Sequence, residues 1–226
     1  MSTERMDMPP RREGLDYLTE GGIETEIMYR WGYDLPHFAM FPLLEKADAR
    51  ATIRGMYRRW LDVAARRGMG ALIGGFDYRA SPDWGARLGY SPAGLAEANL
   101  GAIDFLAALR REYDGQIAEA KLVGYVGPRG DAYRLNGEMS VEAAEDYHAV
   151  QLEALRRSSA DLAWAVTFND PVEAVGVVRA AKRVGMPLAM SFSLGSDSRL
   201  ASGLTLAEAV TRVDAETGAT CRSSRS

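Results

Sequence analysis

The sequence predicts an α/β fold on a parallel sheet. It is either an incomplete (β/α)8 barrel of the TIM type, with about five βα units, or a five-stranded doubly wound sheet. Three observations predict this. Five short apolar runs alternate with longer amphipathic stretches. The runs are apolar rather than alternating, as in strands buried on both faces. Glycine, acidic and other polar residues collect just after the runs, where α/β folds place their ligand sites.

The elements follow in order. The first run is Leu15 to Thr19, ending in Glu20-Gly21-Gly22. A helix is expected from about Asp48 to Arg67, because Ile53, Met56, Tyr57, Trp60, Leu61 and Ala64 recur at spacings of three and four. Gly68 and Gly70 supply its stop signal. The second run, Ala71-Leu72-Ile73, leads into Gly74-Gly75-Phe76 and a polar-aromatic loop to Gly85. Ser91-Pro92 opens the next helix, to about Tyr113, with an N-cap and a proline at the first helical position.

The third run is Leu122 to Val126, ending in Gly127-Pro128-Arg129-Gly130-Asp131, and Ser140 caps the helix to about Arg157. The fourth run is Leu162 to Phe168. Asp170-Pro171 then starts a helix that Gly185 stops. The fifth run is Pro187 to Phe192, and Thr205 with Glu208 forms a capping box for a helix to about Thr217.

Composition narrows the function classes. The 226 residues are 47% hydrophobic and 26% charged, in the range of ordinary globular domains. Lys plus Arg number 27 against 31 Asp plus Glu, a net charge of −4, which gives no electrostatic footprint for nucleic acid or an anionic membrane. No run of about 18 apolar residues predicts a membrane span, and residues 1–14 lack the apolar core of a secretory signal. The expected location is the cytoplasm. The single cysteine, Cys221, excludes a disulfide within the chain and a multi-cysteine zinc site built from this chain alone.

Two loops carry candidate chemistry. Glu20-Gly21-Gly22-Ile23-Glu24-Thr25-Glu26 puts three carboxylates around a glycine pair at a strand end. Glycine lets a ligand approach the backbone, and a carboxylate there can bind an amine. The plainer reading is a tight turn and a solvated helix start. Asp77, Arg79, Asp83 and Trp84 could line a pocket mouth. The plainer reading is a packed surface loop with an internal Arg79–Asp83 pair, worth little if exposed. Gly127 to Asp131 is only weakly like an anion-binding turn, without the P-loop lysine spacing or a GxGxxG pattern. His148 reads as structural or solvated. His37, in a loop, has a slightly better claim to a site. Neither has the context of a nucleophilic triad.

Taken together, several segments resemble the homocysteine S-methyltransferase family. They are Leu18 to Thr25, Asp34 to Phe38, Arg79 to Gly85, Gly127 to Asp131, Pro187 to Phe192 and Ser202 to Ala209. The resemblance covers roughly residues 15–218. It implies a (β/α)8 barrel that transfers a methyl group to the homocysteine thiol, with a zinc ion held by three cysteines activating that thiol. A free thiol has a pKa of about 8.5, and coordination deprotonates it. The methyl donor varies across the family.

The chain departs from the family pattern in three ways. The family's zinc cysteines lie beyond a fifth unit, so a C-terminally truncated member is expected. The first-strand acid, commonly Asp, is Glu20 here. An acid common at the end of the fourth strand has no match in Val166-Thr167-Phe168-Asn169.

The expected organisation is a disordered tail over 1–14, a partial homocysteine-binding barrel domain over 15–218 and a polar tail over 219–226. The resemblance makes Glu20 the binder of the substrate amine, with Gly21 and Gly22 letting the backbone approach. Asp77, Arg79, Asp83 and Trp84 are expected at the pocket rim. Zinc is expected for the family but not on this chain. The expected partners are homocysteine or a related thiol and a methyl donor, with self-association through open barrel edges. The alternative function is a catalytically inactive or purely binding member.

Overall fold

The computed structural model describes residues 8–135 and 137–218. Five strands form one sheet: β1 (Tyr17–Thr19), β2 (Gly70–Ile73), β3 (Ala120–Val126), β4 (Leu162–Phe168) and β5 (Leu188–Phe192). Their order is β1-β2-β3-β4-β5 and every neighbouring pair is parallel. A doubly wound sheet reverses its strand order at a switch point. The strictly sequential order here is that of a curled half-barrel, so the barrel alternative is the correct one.

The helices are α1 (Ile23–Tyr29), α2 (Ala47–Arg67), α3 (Pro82–Arg87), α4 (Pro92–Glu112), α5 (Val141–Arg157), α6 (Pro171–Val184) and α7 (Leu206–Thr217). Their starts follow the capping chemistry in the sequence. Ser91 accepts from the Gly94 N–H at 3.1 Å, Ser140 from Ala143 at 3.1 Å and Asp170 from Val172 at 2.9 Å. Thr205 and Glu208 exchange both bonds of the capping box. Gly68 and Gly185 end α2 and α6 in the left-handed conformation.

The core lies between the sheet and the helices. Ile53, Tyr57 and Leu61 of α2, Ile103 and Leu106 of α4, Leu152 and Leu155 of α5 and Val175 and Val177 of α6 are buried. They belong to one cluster with Ala71, Ile73, Leu122, Val126, Ala163 and Ala165 of the strands. On β3 and β4 the alternate residues Tyr125, Trp164 and Val166 are only half-buried. They stand on the opposite, concave side of the sheet and reach the site described below.

Three local features differ from the sequence reading. The strand β3 begins at Ala120, two residues early, because Ala120 and Lys121 pair with Ala71 and Leu72 of β2, and Lys121 is almost wholly buried there. Its ammonium escapes the apolar sheet by donating to Pro10 O at 2.6 Å and pairing with Glu119 at 2.9 Å. The Asp77–Gly85 loop contains α3, which starts on the same serine-proline signal as α4. Gly85 inside α3 reads as a helix breaker, yet it lets the helix sit against Leu95, which a Cβ there would meet at 2.7 Å. The segment after Gly22 forms α1, the helix start of the plainer reading, but it is packed on one face rather than solvated, with Ile23 and Ile27 buried one turn apart. Among the described residues, no helix is long and apolar enough to cross a membrane.

Candidate functional site

The C-terminal ends of β1 to β4 surround a cavity of about 550 Å³. Its acidic side is Glu20, which follows β1, and Glu24 in the first turn of α1. Its aromatic side includes Tyr78, Tyr125 and Trp164, and the last two meet edge to face at 5.8 Å. Arg79, Asp131, Tyr133 and Thr167 complete the mouth.

A glycine pair after β2 seats the acid and the tyrosine. A Cβ on Gly74 would lie 2.6 Å from the Tyr125 ring and 2.7 Å from the Val123 carbonyl oxygen. Gly75 has φ +117°, and a Cβ there would lie 3.1 Å from Glu20 Oε1. Without side chains at these positions, the Tyr125 hydroxyl and the Glu20 carboxylate come together and hydrogen-bond. The buried Tyr57 hydroxyl donates to the Gly74 carbonyl and fixes the turn from behind.

Burial sets the electrostatics. It pushes the Glu20 carboxyl up to about 7, against the lowering effect of the Tyr125 hydrogen bond and with a further rise from the Glu24 charge. Burial also raises Glu24. Two carboxyls held above their ordinary range at a cavity wall are ready to accept a cation, which would supply the partner that water no longer does.

The end of β4 is irregular. The β4–β5 register shifts between Ala165 and Phe168, and Thr167 has φ +61°, strained for a β-branched residue. Its hydroxyl lies 2.8 Å from the Tyr78 hydroxyl, linking the loops after β2 and β4 at the cavity.

The anticipated residues separate into two groups. Glu20, Gly21, Gly22 and Arg79 line the cavity. Asp77, Asp83 and Trp84 lie outside its wall. Asp77 is fully buried, with Oδ1 accepting from the Tyr125 N–H at 2.8 Å. Asp83 pairs with Arg129 at 2.8 Å, not with Arg79. Trp84 supports the Arg79 guanidinium from 4.5 Å. Glu26 points away from the cavity and pairs with Arg59 and Arg30.

The Gly127–Asp131 turn is held by internal contacts. The Arg129 N–H donates to Glu173 at 2.6 Å, and Gly130 O accepts from Arg79 at 2.6 Å. His148 is fully buried, 2.9 Å from the same Glu173 oxygen, and His37 is exposed beside Trp84.

Tyr78, Tyr125, Trp164 and Thr167 are site residues that the sequence reading passed over. The one signal for Tyr125 was its place in an apolar run, one residue beyond Gly124. Nothing local marks Trp164 or Thr167.

A curled parallel sheet with an acidic and aromatic cavity of ligand size at its strand C-termini defines a protein of the barrel type. The homocysteine S-methyltransferase family model matches residues 17–222, and the chain belongs to that family. Its fold is similar to that of the homocysteine methyltransferase MmuM from Escherichia coli. With the metallated form the TM-score is 0.73 at 22% identity, over 91% of this chain and 72% of that one. With the oxidized form it is 0.69 at 22% identity, over 88% and 69%. A search of curated protein sequences finds no match.

The zinc site that the family implies does not fit the residues present. The resemblance implies three cysteine ligands, and the sequence has one cysteine, Cys221, outside the described residues. Among the described residues, no three His, Cys, Asp or Glu side chains are grouped to hold a metal ion.

Proposed function

We propose that the cavity binds homocysteine, or a closely related α-amino thiol, with the ligand ammonium on Glu20, as the substrate-holding part of methyl transfer to the thiol. The observation that carries this reading is the Glu20 carboxylate itself. It lies at the strand ends, is held by Tyr125, has Glu24 beside it and is raised to about 7 by burial. A buried carboxylate without a counter-charge is costly, and an ammonium arriving in the cavity offsets that cost. Gly21 and Gly22 line the same wall and leave room for the ligand backbone.

A second reading is favoured by the cysteine count. One cysteine does not make the family's zinc site, so in this reading the chain holds the amino acid without carrying the transfer through by itself.

Calorimetry under reducing conditions tests the amine assignment shared by both readings. Homocysteine is compared with 4-mercaptobutyrate, which keeps the thiol and carboxylate and lacks the amine. Homocysteine is expected to bind at least tenfold more tightly. Equal binding would show that the cavity does not recognise the ammonium.

A further inference from the structure

A second charged group on the cavity wall has no assigned partner. Among the described residues, Arg79 is the only cationic side chain lining the cavity. Its guanidinium is held rigidly, 4.9 Å from the Tyr78 ring centroid and 4.5 Å from that of Trp84. Arg87 stacks on Trp84 as well, at 4.7 Å, so the indole is a platform shared by two cations. Nη1 of Arg79 donates to Gly130 O at 2.6 Å, while its Nε–H is buried without an acceptor.

A guanidinium that served only to tie the β2 and β3 loops together would be expected to spend its buried donors on the fold. Here one buried donor is unused on a cation that already faces a ligand-sized space. Guanidinium is also the side-chain group that best matches a carboxylate, through two parallel hydrogen bonds.

We infer that Arg79 is a specificity residue that binds the carboxylate of an amino-acid ligand whose ammonium lies on Glu20. This rests on the proposed reading of Glu20 as the amine anchor. It extends that reading from recognition of an amine to recognition of the whole zwitterion. Opposite charges lining one cavity would then orient the amino acid and direct its side chain, with the sulfur, away from both. A simple amine such as 3-aminopropane-1-thiol, which is homocysteine without its carboxylate, would lose the second anchor.

The test is calorimetric titration of the full chain and its Arg79→Gln variant with both thiols, under reducing conditions. The unmodified chain is expected to bind homocysteine at least tenfold more tightly than 3-aminopropane-1-thiol. Arg79→Gln is expected to remove that preference by weakening homocysteine alone. The comparison in the unmodified chain does not depend on the variant folding, and a thermal melt of the variant accompanies it. If the unmodified chain binds the two thiols equally, the Arg79 assignment fails while the Glu20 reading stands. Equal weakening of both thiols by the substitution also overturns it, and makes Arg79 a strut between loops. If neither thiol binds the unmodified chain, both assignments fall together.

Discussion

Asp77→Asn should stabilise the protein at alkaline pH and leave it almost unchanged at pH 5. Asp77 is wholly buried behind the cavity. Its Oδ1 accepts from the Tyr125 N–H at 2.8 Å, while Oδ2 is buried with no partner. Burial therefore pushes its carboxyl from 3.8 up to about 7. The folded state keeps a proton that the unfolded state has lost between those values. The stability Asp77 contributes is thus fully present below pH 3.8, falls as pH rises through the folded value, and is level above it. Holding the proton from 3.8 up to about 7 costs the native state roughly 4 kcal/mol at pH 8 and under 2 kcal/mol at pH 5, at about 1.4 kcal/mol for each tenfold change in proton concentration. Asparagine has the same shape and no charge, but brings a buried N–H without a known acceptor, at about 2 kcal/mol. The variant should therefore be about 2 kcal/mol more stable at pH 8 and about equal at pH 5. Urea unfolding at the two pH values measures both differences, and all other titrating groups cancel in the comparison. Parallel pH curves for the two proteins, or a less stable variant at pH 8, would refute the reasoning.

The raised Glu20 carboxyl also makes ligand binding pH-dependent. With a value of about 7, roughly a tenth of Glu20 is ionised at pH 6 and three quarters at pH 7.5, so homocysteine affinity should rise about eightfold over that interval. A flat calorimetric profile would remove Glu20 from ammonium binding. Among the described residues β1 pairs only with β2 and β5 only with β4, which leaves an open edge on each. Self-association through these edges is expected and would appear in light scattering as species above the 24.7 kDa chain mass. A monodisperse monomer that binds no apolar dye would sink that expectation.

Much of the fold was legible because its signals are local. Ser91-Pro92, Ser140, Asp170-Pro171 and the Thr205–Glu208 pair each fix a helix start with atoms a few residues apart. Strand order was not legible, since five alternating βα units fit either a barrel or a doubly wound sheet until the pairing partners are known. The site divides along the same line. Glu20 and its glycines stand out within one loop, and Arg79 within another. Tyr125 and Trp164 enter the cavity only because neighbouring strands pair them side by side, although they lie 39 residues apart in sequence, and none of that is visible locally. Asp77 misled for a related reason. An acid in a polar loop reads as exposed, but the third strand covers it and supplies its hydrogen bond.

The most direct test of the account is the affinity of Glu20→Gln for homocysteine, measured by calorimetry beside the unmodified chain at pH 7.5. Glutamine keeps the length and shape of the side chain and removes the charge. The ammonium–carboxylate bond predicts a loss of about 1.5–3 kcal/mol, with the fold intact by thermal melt. Unchanged affinity would contradict it, leaving Glu20 a turn residue and the amine site elsewhere.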